Sequence, residues 1–275
     1  MKTLVTHIKP HIDEIVAVWL FCNFYPGFKR ARIKFIPASQ TKTLNGKDPD
    51  SNPKIFYLGV CRGKFDEHAS VVNHDCTSSL VWEHFQENNF VPKSEVEKEA
   101  IDRLIKWVTK EDTARFKDDY WWEFSISSLI RGSNKISSDI KTVKFGFKLI
   151  EYLFIVLKEK VQFEKDWENR TEFNSKWGEG ACLETTVFND AFIYTKGYQL
   201  VILCNPHKGF KQIRGNPRSL VDLTNVYEKL KEIDPGADWY FHAPSRKLLI
   251  CGDDIASNVK KSKLGPKELI ELVKR

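Results

Sequence analysis

The chain has 275 residues, room for one large or two ordinary domains, and 43 basic residues against 37 acidic ones leave a net charge of +6. Its 19 Phe, 8 Tyr and 8 Trp exclude a disordered polypeptide. The mild, scattered basic excess excludes a histone-like or polybasic protein and still permits an anionic partner.

No apolar run reaches the roughly 18 residues of a membrane span, and no charged-then-apolar leader opens the chain. The six cysteines form no Cys-x-x-Cys pair, which argues against a zinc ribbon. The expectation is a cytoplasmic protein with free thiols and no membrane partner.

In chain order, residues 2–8 read as a buried strand and 13–25 as an apolar helix closed by Tyr25-Pro26-Gly27. Residues 32–36 alternate as a second strand, 41–53 form a polar loop, and 54–60 form a nearly all-apolar third strand of the parallel-sheet kind. Cys76-Thr77-Ser78-Ser79 opens a helix over 80–85. Val96, Ala100, Ile101, Leu104, Ile105 and Val108 line one face of a helix over 95–110. Further helices are expected at 122–131 and 138–162. The run Tyr120-Trp121-Trp122 reads as packing between domains.

After Lys165 the pattern changes. Residues 166–181 read as polar and irregular, and strands follow at 182–187, 191–194 and 199–203. A loop over 205–209, a strand-like 210–214, a helix around 219–232, strands at 239–242 and 248–251 and a terminal helix over 266–274 complete the chain. This order implies an α/β fold: a mainly parallel N-terminal sheet over 1–160 and a smaller C-terminal α/β domain over 161–275.

Metal-ligating residues collect at the ends of apolar elements. His7, His11 and Asp13 crowd the step from the first strand to the first helix. Asp66-Glu67-His68 follows the third strand, and Asp112-Thr113 follows the amphipathic helix. Imidazole and carboxylate together suit Mn, Fe, Co or Zn. Carboxylates and imidazoles converging from separate strand ends are what a two-metal hydrolytic site needs, with its ions roughly 3.5–4 Å apart.

His7-Ile8-Lys9-Pro10-His11-Ile12-Asp13 resembles the first motif of the DHH phosphoesterase superfamily, His-x-x-Pro-Asp-x-Asp. Thr6-His7 and His11-Ile12-Asp13-Glu14 are most similar to its melanocyte-proliferating-gene branch, with a spacer one residue shorter. Asp66-Glu67-His68 looks like the Asp-His-His signature with Glu in the middle, and Glu111-Asp112-Thr113-Ala114-Arg115-Phe116 looks like the last motif. Tyr57 stands where the superfamily has a metal-bridging Asp.

The resemblance implies that His7 and His11 hold one metal and that Asp13, Glu67 and Asp112 hold the other. His68 would contact the phosphate or move a proton, and Asp66 would orient a neighbour. One or two divalent ions are implied, with Mn²⁺ favoured. In the second domain Arg214, Arg218 and Ser219 would grip phosphate, Ser219 would cap the helix after it, and His242 would line the cleft. The expected function is metal-dependent hydrolysis of phosphodiester bonds in short RNA, DNA or nucleotides by a metal-activated water. The alternative is a catalytically degenerate nucleotide- or nucleic-acid-binding relative, favoured by Tyr57 and Glu67; an inorganic pyrophosphatase is a weaker third reading.

Overall fold

The computed structural model describes residues 1–69, 75–115, 122–189, 192–193, 195–252 and 258–274. The protein is mixed α/β, and the chain divides into two units, Met1–Lys158 and Glu159–Arg275.

In the first unit the sheet forms around strand β1 (Thr3–His7), all five residues of which are buried. It is flanked in parallel by β2 (Arg32–Ile36) and β3 (Ile55–Tyr57), giving the order β2-β1-β3. A parallel strand covered on both faces reads as a continuous apolar run, as Leu4-Val5 does in the central strand β1 and Phe56-Tyr57 does beside it in β3, all four residues being buried. Helix α1 (Ile12–Phe24) crosses over from β1 to β2, and ten consecutive residues, Ile12 to Phe21, are buried. It is apolar all round because other helices cover it: α2 (Thr77–Glu87), α3 (Glu95–Asp112) and α4 (Ile126–Ile136). Phe21 sits at the centre of that core with Phe28, Phe56, Phe65 and Phe85 around it.

The chain leaves β1 for β2 on one side, and β3 is laid down on the other. The carboxyl end of β1 is therefore the switch point of this sheet, the place where an α/β fold opens a crevice.

Helix α5 (Asp139–Trp167) carries residues of both units. In the second unit six strands form one mixed sheet in the order β4-β5-β6-β7-β9-β8: β4 (Thr171–Ser175), β5 (Gly178–Glu184), β6 (Leu200–Cys204), β7 (Lys211–Gly215), β8 (Trp239–Phe241) and β9 (Leu248–Cys251). Helices α6 (Thr224–Ile233) and α7 (Pro266–Lys274) contribute Val226, Leu230, Leu269 and Val273 to its core.

Several boundaries differ from the sequence reading. Residues 166–181 are not irregular: α5 runs to Trp167, and a hairpin follows in which Ser175 pairs with Gly178. Its polar strand β4 is an edge strand, with Phe173 as its buried residue, so its composition resembles a loop. The strand expected at 182–187 runs instead over Gly178–Glu184, and β3 is shorter than 54–60 because Leu58 and Gly59 turn away after Tyr57. The strand expected at 191–194 falls partly outside the described residues; Phe192 and Ile193 are helical. The helix expected near 219 starts at Thr224, where Asp222 Oδ1 accepts the backbone N–H at 2.9 Å. All six cysteines are free thiols, five of them buried. Among the described residues, no helix is long and apolar enough to cross a membrane.

Candidate metal centre

The centre is built at the switch point of the first sheet. A cavity of about 450 Å³ is lined by His7, His11, Glu14, Asp66, Glu67, His68 and Asp112, together with residues 38–41 beyond β2 and Gly59, Cys61 and Arg62 beyond β3. All three strands thus send their following loops to its wall.

His7 ends β1 and is nearly buried. Its Nδ1 lies 2.9 Å from the Ile8 carbonyl and its Nε2 lies 3.0 Å from Glu14 Oε1. A ring anchored by Nδ1–H to a carbonyl presents Nε2 as a ligand, the usual arrangement for a metal-binding histidine. Burial alone would lower the imidazole, but the hydrogen bond and charge of Glu14, with smaller help from Ile8 and Glu67, lift it to about 9. In return, although burial opposes its charge, Glu14 is held below the usual carboxylate range by His7 and then His11. Glu14 also closes the first turn of α1, where its Oε2 accepts the His11 N–H at 2.9 Å. The His7 and His11 rings are 5.0 Å apart, edge to face.

Asp13 is fully buried. Its Oδ2 accepts the Thr77 N–H and its Oδ1 the Ser78 N–H, each at 2.8 Å. The carboxylate therefore caps α2 from 64 residues away, where helix dipole and free N–H groups favour an anion. Burial, then Glu14 and Glu67, nevertheless push it up to about 7. Asp112, on the last turn of α3, is pushed to about 7 as well, by desolvation of its carboxyl and then by Asp13 and Glu14. Glu67 is raised by burial, while Thr77 Oγ1 donates to its Oε2 at 2.6 Å.

Asp66 is buried and occupied: Oδ2 accepts the Arg62 N–H at 2.6 Å, and Oδ1 accepts the His68 N–H at 3.1 Å and faces His68 Nδ1 at 3.0 Å. It orients the exposed His68 ring, which also lies 3.5 Å from Glu67 Oε1.

Three donor groups result, the ligand atoms within each lying within 4.8 Å of one another: His7, His11 and Glu14; Asp66, Glu67 and His68; Asp13, Glu67 and Asp112. Glu67 belongs to two of them. These donors fit a hard or borderline divalent cation, because the crowded carboxylates repel one another until a positive charge is added and imidazole nitrogens suit a borderline ion. His7, His11 and Glu14 would hold one ion, and Asp13, Glu67 and Asp112 a second.

Glu14 is the member that the motif reading left out. Its capping position after His11 was visible, but its reach back to His7 depends on how tightly α1 turns after β1. Tyr57 lies among Val5, Ile36, Val60 and Cys61, and its phenol oxygen accepts the Leu44 N–H at 3.0 Å. Gly59 occupies the cavity wall instead. Its φ is +64°, and a Cβ there would stand 2.8 Å from Thr77 Oγ1 and 3.1 Å from Glu14 Oε1. Gly59→Ala is expected to lower stability by about 1–2 kcal/mol for the left-handed backbone alone, visible as a lower Tm, and to weaken metal binding by displacing Glu14. An unchanged Tm and metal affinity would contradict this account of the wall.

Arg214, Arg218, Ser219 and His242 belong to the second unit. Arg214 lies on β7 opposite Val201, and the exposed Arg218 donates its backbone N–H to Asn216 Oδ1 at 3.0 Å. Ser219 does not cap a helix: its Oγ donates to the Asn216 carbonyl at 2.6 Å, five residues before α6 begins. His242 Nδ1 pairs with Ser245 Oγ at 2.7 Å in the turn after β8. Of the other expected features, Phe116, Tyr120 and Trp121 lie outside the described residues, as does His74.

No known family model matches the chain, and a comparison with curated proteins gives no match.

Proposed function

We propose that the protein is a divalent-metal-dependent phosphoesterase of the DHH type. The observation that carries this reading is the convergence of three histidines and four carboxylates from β1, the start of α1, the segment after β3 and the end of α3 on one cavity at the switch point of a parallel sheet. A bound divalent ion, Mn²⁺ by the family resemblance, would polarise a phosphoryl oxygen and lower the pKa of a water.

The chain's own residues have separable tasks in this reading. His7 and Glu14 keep each other charged until a cation replaces the proton between them. Asp66 fixes His68, which is exposed at the cavity and can contact phosphate or move a proton from Nε2. By the family resemblance the second unit would be the substrate-gripping domain, with Arg214, Arg218, Ser219 and His242 as its candidate phosphate ligands. Short RNA, DNA or nucleotides are the substrates this reading implies.

The test is hydrolysis of 5′-labelled RNA and DNA oligomers, two to twenty-four nucleotides long, with Mn²⁺ and with EDTA. Asp112→Asn is the control of choice. Asp13→Ala would also strip the cap from α2 and confuse lost chemistry with lost folding. Cleavage that needs Mn²⁺ and falls by at least about 100-fold in Asp112→Asn is the expected result. Folded protein that cuts no oligomer would set aside nucleic-acid hydrolysis.

The apolar setting of Tyr57 favours one second reading, a relative that keeps the fold and binds nucleotide without turnover. Mn²⁺ binding with no release of product from any phosphoester would select it.

A further inference from the structure

A second cavity in the first unit, about 530 Å³, shares His11 and Asp112 with the metal centre. Its remaining wall has a character the metal centre lacks. Three cationic side chains, Lys9, Arg131 and Lys135, face one acid of its own, Glu111. Ile12 and Ile130 supply an apolar floor. The Arg131 guanidinium lies 5.3 Å from the centre of the Trp122 ring, so indole and guanidinium form one platform. Asn134 donates Nδ2 to the Pro10 carbonyl at 2.9 Å, which fixes its amide orientation, and its buried Oδ1 has no hydrogen-bond partner among the described residues. An acceptor unpaired among the described residues, on a cavity-lining side chain beside an aromatic platform and a cluster of cations, makes a set of complementary groups for one kind of ligand.

We infer that this cavity seats the nucleoside next to the scissile phosphate, with the nucleoside's distal phosphate on Lys9, Arg131 and Lys135. The base stacks on the Trp122–Arg131 platform, as sequence-tolerant nucleic-acid binders arrange it. A ribose hydroxyl or an exocyclic amino group donates to Asn134 Oδ1. The inference rests on the phosphoesterase reading for what lies at the metal centre, and it narrows that reading. A substrate that fills the second cavity carries a nucleoside and a second phosphate, as a dinucleotide or oligonucleotide does and pyrophosphate does not.

The experiment is calorimetric titration of the full chain with adenosine 5′-monophosphate, adenosine and inorganic phosphate, in EDTA and again with Mn²⁺. The nucleotide should bind at least tenfold more tightly than either fragment. Arg131→Ala and Lys135→Ala, both at exposed positions, should weaken the nucleotide at least tenfold. Trp122→Ala should weaken nucleotide and adenosine alike. Circular dichroism checks that each variant is folded. The inference is overturned if the nucleotide binds no better than phosphate, or if folded variants bind it within twofold of the parent. A separate Mn²⁺ titration keeps the two readings apart. Loss of nucleotide binding in the variants without any Mn²⁺ binding would sink the phosphoesterase and leave the nucleotide site. Mn²⁺-dependent cleavage of oligomers with nucleotide binding untouched by the variants would do the reverse.

Discussion

Glu14→Gln should cost the protein at least about 100-fold in affinity for Mn²⁺, and hydrolysis should fall with it. The side chain keeps its size and can still accept the His11 N–H, so α1 retains its start. What is lost is the carboxylate 3.0 Å from His7 Nε2. Even partners that only hold a metal ligand cost about 10–100-fold when removed, and Glu14 is placed to be a ligand itself. The metal-free protein should lose stability too. Removing one partner of a buried ion pair costs about 3–5 kcal/mol when the other stays charged, and less here because His7 can release its proton. Titration calorimetry and thermal melts in EDTA measure both effects. A variant that binds Mn²⁺ as tightly as the parent would remove Glu14 from the centre and leave His7 and His11 without an anionic partner for the ion.

The metal-free protein should become less stable as pH rises from about 5 to 9, and Mn²⁺ should reverse that slope. Asp13 and Asp112 are raised from 3.8 to about 7. Groups with raised folded-state values stabilise fully below their unfolded value and lose that contribution as pH passes the folded one. The two carboxyls therefore cost stability between about 4 and 7. His7, raised from 6.5 to about 9, adds its loss between those values. Glu14 is lowered from 4.5, so its contribution is complete above 4.5 and fades only in acid, outside the window. Each pKa unit realised is about 1.4 kcal/mol, or about 2–4 °C of Tm for a protein of this size. Mn²⁺ needs the same groups deprotonated, so the stabilisation it adds should grow with pH. Melts in EDTA and in Mn²⁺ at each pH decide it. A flat or rising Tm in EDTA would mean that the carboxylates do not repel one another as their packing requires.

Much of the centre was legible because its chemistry is concentrated where the hydrophobic pattern breaks. His7, His11 and Asp13 fall between two apolar runs, Glu67 and His68 follow a third, and Asp112 ends an amphipathic helix. Apolar runs must be buried, and the polar residues at their ends are carried together to the rim of the sheet. The parallel sheet of the first unit could be read the same way, since strands without polar alternation need cover on both faces.

What only the tertiary structure decided depends on contacts between residues far apart in the chain or on exact turns of backbone. Asp13 capping α2 spans 64 residues, and no local pattern signals it. Glu14 meets His7 because α1 begins directly after a turn in which Lys9 takes φ +56°. Gly59 matters for the space its missing side chain leaves, and Asn134 for an oxygen without a partner among the described residues. The hairpin of β4 and β5 was hidden because an edge strand needs few apolar residues to hold its place. Composition and periodicity carried the elements and their polar ends; the pairing of those ends was set by how the helices pack on the sheet.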